Sequence, residues 1–204
     1  MNDLLLAIPD KLENMQLPAP ELLSFYQDEQ NRTLWIEGEI TESWFEFSKF
    51  ILKYNRADKG IPVNERQPIK IFINSPGGDL DVTLAFIGLI EISKTPVWCI
   101  NAGWCYSAAG LVLMAGHKRF ALPNTQALIH SGSGGALGTY EQATEQMKNY
   151  KVLVDKMKDF ILSKTKIEPK LFKKNSTKEW YITTAEMLQY GIVDEVVEDI
   201  DILF

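Results

Sequence analysis

Three short segments of this chain carry residue types that could assemble a reactive serine. Ile73-Asn74-Ser75-Pro76-Gly77-Gly78 offers backbone N–H groups at a glycine turn. Gly103-Trp104-Cys105-Tyr106-Ser107-Ala108-Ala109-Gly110 offers a hydroxyl, and Ala127-Leu128-Ile129-His130 offers a base. A serine hydroxyl is a poor nucleophile at neutral pH and becomes useful only where a base and oxyanion donors converge on it. The chain holds only two histidines, so the choice of base is nearly forced. In that chemistry Ser107 attacks, His130 takes its proton, and N–H groups of the Gly77-Gly78 turn and of Ala108 bind the oxyanion.

Each segment also has a plainer reading. Pro-Gly-Gly can be a tight strand-to-helix turn with no ligand. Ser107 can be a helix N-cap. His130 can be a hydrogen-bonded structural histidine. His117, in Gly116-His117-Lys118-Arg119, reads as exposed and structural. A third group should orient the base, and sequence position alone does not pick it.

The elements that must position these residues alternate. Leu34–Ile36 reads as a strand ending at Gly38. Ser43 with Glu46 forms a capping-box pattern ahead of a helix carrying Phe47, Phe50, Ile51 and Tyr54 on one face. Asn55 to Gln67 reads as a polar loop. Ile69–Ile73 is a near-continuous apolar run of the kind buried parallel strands have. A helix with Leu84, Ile87 and Ile90 follows the glycine turn, and Val97–Ile100 is the next strand. The small apolar run after Ser107 suits a buried helix. Arg119–Leu122 and Ala127–His130 are short strands around the turn Pro123-Asn124. After Ser131-Gly132-Ser133-Gly134-Gly135, a long helix starts near Thr139, capped with Gln142, and carries Met147, Tyr150, Val154, Met157 and Ile161. A short helix lies around Pro169–Lys173. Thr183 with Glu186 caps another, and Val193–Val197 is a last strand. The alternation predicts an α/β fold with a mainly parallel sheet, in one domain spanning 1–204. Pro9, Pro18 and Pro20 should break any long element in residues 1–31, leaving a variable N-terminal arm.

Bulk properties exclude several classes. There are 27 acidic against 21 basic residues, for a net charge of −6, and no basic stripe to neutralise nucleic-acid phosphates. Lys148, Lys151, Lys156 and Lys158 are interleaved with Glu141, Glu145, Asp155 and Asp159, which suits a solvated helix face. Cys99 and Cys105 lack metal-site or redox spacing and read as buried free thiols, which fits a reducing compartment. Leu4–Ile8 is short and follows Asp3, so no secretory signal is expected. No apolar run approaches the roughly 20 residues that span a bilayer. A cytoplasmic protein that binds neither membrane nor nucleic acid, and needs no cofactor, is expected.

The same residues resemble the ClpP family, the proteolytic subunits of ATP-dependent Clp proteases. The resemblance rests on Ile73–Gly78, Gly103–Gly110, Leu122-Pro123-Asn124 with Ile129-His130, Gly134-Gly135 and Tyr190-Gly191-Ile192-Val193-Asp194, and runs from about Leu34 to Val197. It implies the ClpP/crotonase superhelix of βαβ units, with a protruding handle helix at about 139–164. It implies a serine endopeptidase that cleaves peptides or unfolded proteins inside an oligomeric chamber, with heptameric rings stacked as a tetradecamer and a Clp-type ATPase as candidate partner. It assigns Ser107 as nucleophile, His130 as base, and the N–H groups of Gly78 and Ala108 as oxyanion donors. Gly132, Ser133, Gly134 and Gly135 would bind substrate backbone. A gapless count from His130, and back from Tyr190-Gly191, puts Glu179 where the family has its aspartate.

Departures mark the chain as divergent. Trp104-Cys105-Tyr106 stands where the family has small residues, Ala108 where it has methionine, and Ser131-Gly132 where it has Gln-Pro. Residues 1–31 do not match the family's N-terminal loops, which engage the ATPase. A phage or prophage relative fits such divergence. Two other functions stay open: a non-catalytic ring or scaffold subunit, and an acyl-CoA enzyme of the related crotonase fold.

Overall fold

The computed structural model describes residues 20–204. The part of the predicted arm that holds Leu4–Ile8, Pro9 and Pro18 lies outside the described residues. The chain divides into two compact units at Asn31 and Arg32. In the first, α1 spans Pro20–Gln30. Pro20 stands at its first position, so the helix starts at this proline rather than running through it. A helix's first position needs no N–H donor, so proline opens a helix at no cost.

The second unit, Arg32–Phe204, is built on a seven-stranded sheet. Its elements run β1 (Thr33–Glu37), α2 (Phe45–Ala57), β2 (Ile69–Ser75), α3 (Leu80–Ile92), β3 (Val97–Tyr106), α4 (Ala108–Ala115), β4 (Lys118–Ala121) and β5 (Gln126–Ile129). They continue with α5 (Tyr140–Lys164), α6 (Pro169–Asn175), β6 (Trp180–Thr183), α7 (Thr184–Gln189) and β7 (Glu195–Val196). Strands β1-β2-β3-β4-β7 are neighbours in that order, and all pair in parallel. This is the α/β architecture the alternation predicts.

β3 is the pivot. Its first half pairs with β4, from Trp98↔Lys118 to Asn101↔Ala121. Its second half leaves β4 and pairs with β5, from Trp104↔Gln126 to Tyr106↔Leu128. Two asparagines stitch the fork. Buried Asn101 accepts from the Gly103 N–H at 3.1 Å and donates to the Gln126 carbonyl at 3.1 Å. Asn74 accepts from the Trp104 N–H at 3.3 Å, and a Cβ on Gly103 would collide with its side chain. The sequence reading ended this strand near residue 101. The strand instead continues to Tyr106, because side-chain amides carry the backbone across the break that Gly103 suggests.

β6 was not anticipated. It pairs antiparallel with β5, through Gln126↔Thr183, Ala127↔Ile182, Leu128↔Tyr181 and Ile129↔Trp180. The Ser43/Glu46 capping box does not form. Residues 42–44 are already a 3-10 turn, so Ser43 never occupies the extended N-cap position, and the Glu46 carboxylate goes to Lys49. The boxes at Thr139/Gln142 and Thr183/Glu186 are both present. α2 runs into the expected loop as far as Ala57.

The core lies between the sheet and helices α2, α3 and α4. Every residue of α4 is buried, and its small first turn allows close contact, with a Cβ on Gly110 only 3.4 Å from the Cys105 carbonyl. Burying each of Leu111, Val112, Leu113 and Met114 contributes about 1.5–3 kcal/mol. Cys99 and Cys105 are free and buried, and burial pushes the Cys99 thiol up to about 12. In α5, by contrast, only Met157 and Ile161 are buried.

One buried ion pair ties three elements. Arg32 Nη1 and Nη2 each donate to Asp58 at 2.7 Å, and Thr95 Oγ1 donates to Asp58 Oδ2 at 2.8 Å. The Asp58 side chain is 1% exposed. Its pKa is held below the ordinary carboxylate value, chiefly by the Arg32 hydrogen bond. Asp58→Asn leaves the guanidinium without its counter-charge and should cost about 3 kcal/mol at neutral pH. A depressed folded-state pKa contributes stability above the unfolded value, near 4, and loses it as pH falls through the folded value. Urea unfolding should therefore show the gap between wild type and variant shrinking below about pH 4. A gap independent of pH would contradict this.

Candidate active site

β2, β3 and β5 each deliver one part of the site from the carboxyl end of a parallel strand, where α/β sheets open their crevice. β2 ends in the glycine turn. Buried Ser75 accepts from the Gly77 N–H at 3.1 Å. The Ile40 N–H donates to the Gly77 carbonyl at 2.8 Å, and the Asp79 N–H to the Ile40 carbonyl at 3.0 Å. Gly77 has φ 95° and Gly78 φ 149°, values in which a side chain is strained. A Cβ on Gly77 would sit 2.6 Å from the Tyr106 carbonyl and 2.9 Å from Ser107 Cβ. Glycine is what lets this turn touch the serine. α3 follows, with Asp79 as N-cap, accepting from the Val82 N–H at 2.9 Å.

Ser107 stands between β3 and α4 with φ 53° and ψ −124°. A non-glycine residue keeps such a backbone only where its surroundings impose it. Here the Ser107 N–H donates to the Leu128 carbonyl at 2.8 Å, and its own carbonyl accepts from Gly110 at 3.0 Å. Its side chain makes no cap bond to α4, so the plain N-cap reading does not hold. The hydroxyl meets His130 instead, with Oγ and Nε2 2.6 Å apart. For Nε2 to accept that proton, Nδ1 must carry the ring hydrogen. Nδ1 makes no hydrogen bond among the described residues.

The two residues open on a cleft of about 240 Å³ that is also lined by Gly78, Asp79, Leu80, Asp81, Ala108, Gly132, Ser133, Tyr150, Leu153 and Met157. The N–H groups of Gly78 and Ala108 are given to no hydrogen bond among the described residues, so both are free to serve a ligand. Gly132 and Gly134 lie against Tyr150 of α5. A Cβ on the first would reach 2.6 Å from its hydroxyl, and one on the second 3.0 Å from its ring. Gly135 meets nothing nearby.

Glu179 is exposed, and its Oε2 accepts from the Tyr181 hydroxyl at 2.7 Å. It makes no hydrogen bond to His130. The β5–β6 ladder ends at Ile129↔Trp180, the pair just before His130 and Glu179, and beyond it the Ser131 N–H donates to the Ser176 carbonyl at 2.6 Å, out of that register. Sequence reasoning missed β6, and with it Tyr181. The aromatic and β-branched run Trp180-Tyr181-Ile182-Thr183 was the available signal. Trp104 and Tyr106 form an aromatic row with Tyr181 beside the site. His117 faces a separate hollow with Glu91, Arg119 and Asp194, and its Nδ1 accepts from the Val97 N–H at 3.0 Å.

A parallel sheet that brings a serine and a histidine into contact beside unused backbone donors is the arrangement of a serine hydrolase. Comparison with known proteins narrows that class. The chain matches the Clp protease family over residues 61–200. It is 32% identical over 137 residues to an ATP-dependent Clp protease proteolytic subunit of Deinococcus radiodurans, covering 66% of this chain and 67% of the relative. It is 30% identical over 170 residues to proteolytic subunit 2 of Treponema denticola, covering 82% of each. A ClpP1 variant from Listeria monocytogenes superposes with TM-score 0.75 at 27% identity, over 89% of this chain and 99% of that one. The chain belongs to the Clp protease family, has the ClpP fold, and is a peptidase of ClpP type.

Proposed function

We propose that Ser107 attacks the scissile carbonyl while His130 takes its proton and later passes it to the leaving amine. The acyl-enzyme is then hydrolysed by a water that His130 deprotonates. The N–H groups of Gly78 and Ala108 bind the oxyanion in both halves, and Glu179 orients the imidazole once its side chain turns toward Nδ1. The observation that carries this reading is the 2.6 Å contact between Ser107 Oγ and His130 Nε2, on a serine held at positive φ. For Glu179 the support is its place one residue beyond the end of the β5–β6 ladder, as for His130. Gly132, Ser133, Gly134 and Gly135 receive an extended peptide by strand addition. The chemistry draws on protein groups alone, with no cofactor.

Residues 1–204 are one ClpP-like peptidase domain, with 1–31 a variable N-terminal arm. The substrate is a peptide or an unfolded protein, and the subunit works in heptameric rings paired through α5. Support for that assembly is the exposed apolar surface of Leu137, just before α5, and of Tyr140, Met147 and Val152 within it. A Clp-type ATPase is the partner that the relatives' names suggest. The cytoplasm is the expected compartment, and no helix among the described residues is long and apolar enough to cross a membrane.

A fluorophosphonate probe tests the site directly. One adduct per chain is expected on the wild type, absent from His130→Ala. No adduct on assembled wild-type protein would favour a non-catalytic ring subunit. The contact of Glu179 with Tyr181 is the one observation on that side.

A further inference from the structure

The carboxylate of Glu179, one residue beyond the end of the β5–β6 ladder, is bound by a phenol. The Tyr181 hydroxyl donates to Glu179 Oε2 at 2.7 Å. Tyr181 pairs with Leu128, and opposed residues of an antiparallel pair point to one face of the sheet. Tyr181 and Glu179, two residues apart, therefore share a face with Leu128 and His130. The phenol is half exposed and packs on one side only. Its ring stands edge-on to Tyr106 at 5.8 Å and 84°, and the Tyr106 hydroxyl is itself fixed by Gln126 Oε1 at 2.6 Å. The carboxylate in turn holds the phenol proton, raising the pKa of Tyr181.

We propose that Tyr181 is a positioning residue for the base: by keeping Glu179 on its hydroxyl, it withholds the carboxylate from His130 and slows attack by Ser107. This rests on the Ser107–His130 reading above. Glutamate suits the arrangement because it is one methylene longer than aspartate and can reach either neighbour from the same backbone position. A carboxylate at Nδ1 stabilises the imidazolium that forms as the serine proton moves, so its arrival speeds attack.

Tyr181→Phe tests this while keeping the ring and its contact with Tyr106. The other ionisable groups lining the cleft with His130 are Asp79 and Asp81 from the start of α3 and Tyr150 from α5, and Tyr106 of β3 lies against Tyr181. All are unchanged by the substitution. With a fluorogenic peptide, the alkaline plateau of kcat/KM should rise about fivefold. The rate of fluorophosphonate labelling at Ser107 should rise in parallel. In a Glu179→Gln background, Tyr181→Phe should change neither profile nor labelling, because the carboxylate through which it acts is gone. Superimposable profiles and equal labelling, or a lower plateau in Tyr181→Phe, would overturn the proposal and leave the peptidase reading standing. No labelling of either wild type or Tyr181→Phe would overturn both.

Discussion

Ser107→Ala should lower kcat/KM for peptide cleavage by at least about 10³-fold while leaving assembly unchanged. The size follows from what the hydroxyl does. In the proposed mechanism it forms the covalent bond with the scissile carbonyl, and among the described residues His130 has no other hydroxyl partner. What survives is the rate that the oxyanion donors and substrate positioning give to direct attack by water. Structure should not suffer, because the strained backbone at φ 53° is imposed by main-chain bonds to Leu128 and Gly110, not by the hydroxyl. Alanine meets the same backbone requirement, and no side-chain cap is lost. Light scattering should therefore give one ring mass for both proteins. Cleavage that survives the substitution would end the nucleophile assignment. A monomeric mass for the wild type at micromolar concentration would end the ring assignment.

The parts of this site that were legible in the sequence are those made by short, local patterns. A buried parallel strand shows as Ile69–Ile73, its turn as Gly77-Gly78, and a fully buried helix as the small apolar run after Ser107. Each signal lies within a few residues, and the structure uses each in place. The parts that were not legible depend on pairing between distant residues. β3 outlasts its apolar run because Asn74 and Asn101 hold it past Gly103, which requires β2 and β5 to be in place. β6 has only four residues, one of them fully buried, and exists because β5 offers it an edge. Its absence from the sequence reading had a chemical consequence. Counting placed Glu179 at the acid position, and only the strand beside it reveals a phenol competing for the carboxylate. Ser43 and Glu46 show the reverse error, a correct local spacing overridden by a 3-10 turn that satisfies the backbone first.

Gly78→Ala should be nearly as damaging as loss of the nucleophile, for a reason that is wholly backbone. At φ 149° the new Cβ is strained, and it would also land on the main chain of Ile40. Ile40 cannot retreat without cost, because it bridges the turn through its N–H to Gly77 and its carbonyl to Asp79. The turn must rotate instead, and that carries the Gly78 N–H away from the carbonyl oxygen of a substrate on Ser107. Losing one oxyanion donor costs about 10²–10³ in kcat, with a smaller effect on KM, because the developing charge exists only in the transition state. Gly60→Ala is the matched control. Its φ is 97°, so it pays comparable strain, yet a Cβ there meets nothing within 4 Å. Each substitution should cost about 1–3 kcal/mol of stability from strain, and only Gly78→Ala should lose activity. Equal kcat in Gly78→Ala and wild type would mean that the glycine turn is a structural corner and that the oxyanion is stabilised elsewhere.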